Sequence, residues 1–143
     1  MLFNEATGRP VVATDEARTV GSVSDLLVDP HTHRVVALRL RHKVHGADTL
    51  LWQDLTAFGA DAVTVASAAK IVPAPAELER LAGAPGKLLH KRLLTTDGHS
   101  LGTVDNVNFD NATGELTSLI VGNTTVDGGR LRGCGTYAVV VAA

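Results

Sequence analysis

Aromatic side chains are nearly missing from this chain: among 143 residues there are three Phe, one Tyr and one Trp. Stacking platforms for single-stranded nucleic acid and grooves for proline-rich peptides are built from clustered aromatics, so neither function fits. Cysteine is scarcer still. Cys134 stands alone and cannot close an internal disulfide, so nothing points to an oxidising compartment. Positive charge is not in excess, because 13 Lys and Arg face 15 Asp and Glu for a net charge of −2. Phosphate binding needs a concentrated positive field, so the composition argues against direct nucleic-acid binding. No apolar run approaches the roughly 18 residues of a membrane-spanning helix. The opening MLFNEATGRP lacks the basic and apolar regions of a signal peptide. These absences together lead to the expectation of a soluble cytoplasmic protein.

Apolar residues make up 45% of the chain and charged residues 20%, which suits a folded core rather than global disorder. The organisation is a repeat. LTAFGADAVTV (55–65) returns as LRGCGTYAVVV (131–141), and TVGSVSDLLVDPHTHRVVALRL (19–40) returns as SLGTVDNVNFDNATGELTSLIV (100–121). Gly21 and Gly102 are 81 residues apart, as are Asp29 and Asp110, and Thr14 is aligned with Thr95. The closing segments, with Gly59 and Gly135, are 76 apart, so the middle loop of the second copy is five residues shorter. The expected division is a first repeat at 1–72, a linker at 73–86 and a second repeat at 87–143.

Each copy reads as β-structure. Val36, Leu38 and Leu40 alternate with Ala37, Arg39, Arg41 and Lys43, the period of a half-buried strand. VDPHTHR (28–34) and FDNATGE (109–115) carry hairpin-turn chemistry. Gly114 occupies the position of His33, which fits a left-handed conformation there. In the linker, Pro73 and Pro75 break the strand pattern. Ala76 to Leu81 favours a short helix, stopped by Gly83 and Pro85-Gly86, with Leu78 and Leu81 on one face to seal the junction.

The stretch Val20-Gly21-Ser22-Val23 with Asp25 and Asp29, followed by Asp54-Leu55, Gly59 and Ala62-Val63, resembles the PRC-barrel family. So does Leu101-Gly102-Thr103-Val104 with Asn106 and Asp110, followed by Leu131, Gly135 and Ala138-Val139. The resemblance implies an all-β protein of two tandem small antiparallel β-barrels. It also implies a non-catalytic adaptor that docks onto a larger protein, protein–RNA or membrane-associated assembly. Copy two carries Asp127-Gly128-Gly129 where copy one has Leu51-Trp52-Gln53, which leaves its middle strand in question.

For function, the feature singled out is a basic strand face: Arg39, Arg41 and Lys43, with Arg34 at its start. It suits an acidic protein partner first and an anionic membrane surface second. Gly21, Asp29, Gly59, Gly102, Asp110 and Gly135 are the structural positions of the repeat. Gly21 and Gly102 are expected where a side chain would clash or a strand bulges. No metal site and no cofactor are expected: His31, His33, His42 and His45 lack a ligand spacing, and Asp105, Asn108, Asp110, Asn111 and Glu115 lack the order of a calcium loop. Ser22, Ser24, Asp25 and His33 do not form a recognisable nucleophile set, so no enzyme activity is expected. The second reading is a sensor that binds a small ligand or metal in the crevice between the barrels. Ala138 to Val141 is apolar on both faces, so one face needs cover from copy one or from a second chain; a homodimer is compatible with the sequence and not required by it.

Overall fold

Short alternating segments divided by turn residues become thirteen strands among the residues described in the computed structural model, 1–82 and 87–143. The first half holds β1 (Pro10–Ala13), β2 (Arg18–Asp29), β3 (Arg34–Val44), β4 (Ala47–Leu51), β5 (Leu55–Phe58) and β6 (Val63–Val65). They form one curled sheet in the order β4-β3-β2-β1-β6-β5. A short helix α1 (Phe3–Ala6) precedes them and α2 (Ala76–Ala82) follows. The second half holds β7 (Arg92–Thr95), β8 (Ser100–Thr103), β9 (Asn106–Phe109), β10 (Leu116–Val121), β11 (Thr124–Asp127), β12 (Leu131–Cys134) and β13 (Ala138–Val141).

The pairing scheme of the first half recurs in the second. β7 pairs with β8 as β1 does with β2, β9 with β10 as β2 does with β3, and β12 with β13 as β5 does with β6. Two features modify the expected antiparallel barrels. β1–β6 and β7–β13 are parallel, because the closing hairpin reverses the chain before its last strand meets the first. The counterpart of β2 is also interrupted: at Val104-Asp105 the backbone leaves Lys91 O and turns to Ile120 O, so the second half divides into sheets of four and three strands. The product is a pair of curled half-barrels.

Three details of the repeat change. Ala13 pairs with Val65 and Thr95 with Val141, so Thr95 is the counterpart of Ala13, and Thr14 corresponds to Thr96; the β7–β8 turn is one residue shorter. The middle strand of the second half exists. β11 ends at Asp127 and runs into a 3-10 turn at Gly128–Arg130, just as β4 runs into Trp52–Asp54. The five extra residues of the first half are not loop. They lengthen the β3–β4 hairpin, where Val44 pairs with Ala47 across His45 and Gly46, both at positive φ (54° and 76°).

One cluster of buried side chains runs through both halves, joining Val11, Val23, Leu38 and Phe58 to Val107, Phe109, Leu119 and Val139. Leu78 and Leu81 of α2 do not seal the junction. They lie with Val36 and Leu51 against Leu27 and Ala37, on the first half's own sheet. The proposed helix stop at Gly83 and Pro85-Gly86 falls outside the described residues. α1 was not read from the sequence. It packs Phe3 edge-on to Phe109 (centroids 5.5 Å apart), and Leu2 bridges to Asn108 of β9.

Candidate interaction site

The halves meet about an approximate two-fold axis, fixed by one pair of residues. Arg34 and Glu115 are counterparts in the repeat, and they bridge to each other. Counterpart residues meet only on a two-fold axis. The flanking hydrogen bonds obey the same symmetry: Val35 N–H donates to Gly114 O and Leu116 N–H to His33 O, both at 2.8 Å. His33 (φ 59°) and Gly114 (φ 83°) both adopt the left-handed conformation. Arg34 Nη2 lies 3.0 Å from Glu115 Oε1 on the axis. Asp29 and Asp110 play equal parts, each accepting a hydrogen bond from the backbone two residues on, at His31 and Ala112 (2.8 Å each).

Away from the axis the seam is asymmetric. Trp52 stacks on Phe58 (6.0 Å) and meets Phe109 edge-on (6.3 Å). A Cβ on Gly114 would lie 3.1 Å from the Trp52 ring. On the opposite side the counterpart of Trp52 is Gly128, where a Cβ would fall 2.3 Å from Leu116 O. There the bulk comes from His33, whose Nε2–H donates to Leu131 O at 2.8 Å. Cys134 replaces Phe58 and Val28 replaces Phe109. Each side carries a recess of about 510 Å³, one between the 28–31 turn, α2 and Cys134 and the other lined by Trp52, Phe58 and Asn111. Burial pushes the Cys134 thiol up, against the opposing pull of Lys91. Arg132, its neighbour in sequence, plays no part in that.

The basic face of β3 is divided by α2. Ala37 is buried beneath the helix. Arg39 is held 3.3 Å from Asp48 and 3.5 Å from Glu79 of α2, and Arg34 is committed to Glu115. These two cations therefore balance internal carboxylates and do not belong to an open stripe. Arg41 and Lys43, with His42 between them, are all exposed on the lengthened hairpin. Val44 near the hairpin's tip packs against the core cluster, which anchors this arm to the barrel.

The other candidates scatter. Ser24 Oγ donates to Arg39 O (3.1 Å) and Asp25 accepts from Leu26 N–H (2.9 Å), while His33 faces the opposite half. Burial raises the Asp25 carboxyl above its usual range, partly offset by Lys87 and Arg39. Asp105 accepts from Gly122 N–H (2.7 Å) and Asn111 donates to Phe58 O (2.8 Å), so the acidic run of the second half stabilises turns and the seam. Among the described residues no three His, Cys, Asp or Glu side chains gather around a common point, and no helix is long and apolar enough to cross a membrane. Gly21 has Leu40 Cδ1 3.2 Å from where its Cβ would stand, Gly59 has Ala62 O at 3.1 Å, and Gly135 has open space.

A family model for the PRC-barrel domain matches residues 1–71. The chain belongs to the PRC-barrel family. The family match ends with the first half, and it is the strand pairing that relates the second half to it. No curated protein matches the chain.

Proposed function

We propose that this PRC-barrel protein is a non-catalytic adaptor of the cytoplasm that docks onto an acidic surface of a larger protein assembly through the β3–β4 arm. The arm carries the reading. It is the largest departure from the internal repeat, five residues longer than its counterpart, and it projects Arg41, His42 and Lys43 together into solvent. Arg34 and Arg39 already face carboxylates of the chain, Glu115 and Asp48 with Glu79, and stand second to the arm in this reading. Cations at an interface rim act mainly on association rate and salt dependence. Arg41→Glu/Lys43→Glu should therefore abolish capture of the partner retained by the wild-type protein from its native host, and added salt should weaken wild-type capture. A partner held equally by the charge-reversed variant removes the arm from the function.

A second reading rests on the cleft of about 510 Å³ beside Cys134, a volume in the range of small-ligand sites. Native mass spectrometry of protein purified from its host tests it directly: a retained small molecule, lost on His31→Trp at an exposed position of the cleft wall, supports a sensor, and bare protein mass opposes it.

A further inference from the structure

We propose that two copies of this chain associate edge to edge along β8, where the second half exposes a residue that the first half buries. The internal repeat supplies the comparison. In the first half β3 runs past its last pairing with β2, Val23 with Leu40, and ends at Val44. Val20 is 8% exposed, and both it and Val44 belong to or pack on the core. In the second half β10 stops at Val121 and the extension is missing. Leu101, the counterpart of Val20, is 40% exposed, and all four residues of β8 are exposed. The ladder bulges here: Leu93 pairs with Gly102 and Leu94 with Ser100, leaving Leu101 as the extra residue on the outer side. Half-buried Leu94 and Val140 lie on paired strands beside it. The other large exposed apolar residue, Tyr137 (69%), sits over Arg92 on the same sheet.

β8 also differs from the other sheet margins. An unpaired edge is a template for another strand, and proteins blunt such edges with charge or cover. The margin at β4 is bridged by Val72 through two hydrogen bonds (3.0 and 2.8 Å), that at β5 is met by the Asn111 amide, and β9 is met by Leu2 and Met1. β11 carries Asp127 and β12 carries Arg132. β8 reads Ser-Leu-Gly-Thr and carries no charge; Val121 of β10 reaches Gly102, while Ser100, Leu101 and Thr103 stay exposed. Antiparallel pairing of β8 with itself sets no like charges opposite each other and closes on a two-fold axis without generating a filament. The Arg34–Glu115 bridge shows the same device within the chain, like segments joined across a two-fold. A four-strand sheet would thereby become eight-stranded. A four-residue edge is small against a standard interface of about 1,600 Å², so the association is weak and concentration-dependent.

Sedimentation velocity of the full chain from low to high micromolar concentration should show the mean mass rising toward that of two chains. Amide exchange at 100–103 should slow over the same range. Leu101→Lys, at an already exposed position, should hold the protein at monomer mass with an unchanged circular-dichroism spectrum. Arg41→Glu/Lys43→Glu should leave the dimer intact. A wild-type chain that stays monomeric throughout overturns the proposal, as does a dimer that survives Leu101→Lys or one whose β8 amides exchange independently of concentration. Monomeric wild-type protein that gains protection at β8 only with an added extended peptide would assign the edge to a foreign strand instead.

Discussion

Phe109→Ala is the substitution that most directly measures how far the two halves depend on each other. Phe109 belongs to β9 and is 1% exposed. Its ring is surrounded by the first half: Phe3 at 5.5 Å, Phe58 at 5.6 Å and Trp52 at 6.3 Å between centroids. Truncating a buried Phe costs about 3–5 kcal/mol, from lost transfer free energy plus the cavity left behind. Its edge-on aromatic pairs add specificity beyond area alone. Domains of this kind are stable by about 5–15 kcal/mol, so the loss is a large fraction of the total.

Trp52 is the sole tryptophan and sits across the seam from the mutated position. Its fluorescence reports the first half while far-ultraviolet circular dichroism reports all strands. In urea titrations both signals should give one coincident midpoint for the wild type and again for the variant. With a slope of about 2–3 kcal/mol per M, the variant's midpoint falls by roughly 1–2.5 M. Tyr137→Ala, at a residue 69% exposed, should stay within about 0.5 kcal/mol of wild type and serves as the control. The reasoning fails if the dichroism transition splits while Trp52 unfolds at its wild-type midpoint, since the halves would then be independent. It fails equally if the total loss is below about 1 kcal/mol, too small for a packed cavity.

Four further outcomes follow from individual positions. Gly102→Val should lower stability by about 1–3 kcal/mol or more, because Gly102 sits at φ 116° with Val121 Cγ1 2.9 Å from a Cβ. Gly135→Ala, which meets nothing, should leave the urea midpoint unchanged. Arg34→Glu should cost under about 1 kcal/mol, since the pair is roughly half exposed and screened; Arg34→Glu/Glu115→Arg should recover it, because the two-fold exchanges the positions, and a double variant no better than the single one would refute the axial pairing. Cys134 holds its proton more tightly folded than unfolded, so its contribution to stability is present below the ordinary thiol value of 9.0 and is lost as pH rises through the higher folded value. Wild type should therefore lose stability relative to Cys134→Ala in alkaline solution, and at pH 8 the thiol should react with a disulfide reagent more slowly than free cysteine.

The repeat was legible because the two halves share strands, turns and hydrogen-bonding Asp residues, and those roles constrain residue type at fixed spacing. Asp29 and Asp110 kept their partners as well as their positions. The five-residue difference was legible as arithmetic and misplaced as structure. A His-Gly pair at the arm's turn is a weaker hairpin signal than Asn-Gly, and nothing local distinguished a longer arm from a longer loop. The second middle strand looked doubtful because Trp52 is matched by Gly128. That exchange reflects seam packing, to which strand propensity is blind. The ion pairs within the basic stripe were not legible for a related reason. Alternation groups Ala37 with Arg39 but places Val36 with Leu38 and Leu40, whereas Val36 joins Ala37 beneath α2; nor does it reveal that α2 covers this part of the strand while Arg41 and Lys43 stay exposed. A usable signal for the seam did exist: counterpart positions 34 and 115 carry opposite charges, a pattern that favours their meeting across a two-fold.

The same axis explains why both halves stand in one chain. In a dimer of identical single repeats, each contact across the axis occurs twice with the same residues. Here Trp52 lies against Gly114 on one side, while on the other Gly128 lies against Leu116 and His33 bonds to Leu131 O, so bulk and space are inverted. No single repeat satisfies both arrangements, since the residue at the Trp52 position must be the largest side chain on one side, while on the other even a methyl group meets Leu116 O at 2.3 Å. Arg34 and Glu115 make the same point in charge, because an identical pair on the axis would repel. Covalent linkage releases each half from self-complementarity at the seam. One half can then extend a basic arm and bury Val20 while the other ends its strand early and exposes Leu101. The seam's asymmetry and the difference between the outer surfaces are consequences of one freedom, and the arm and the β8 edge are where that freedom reaches solvent.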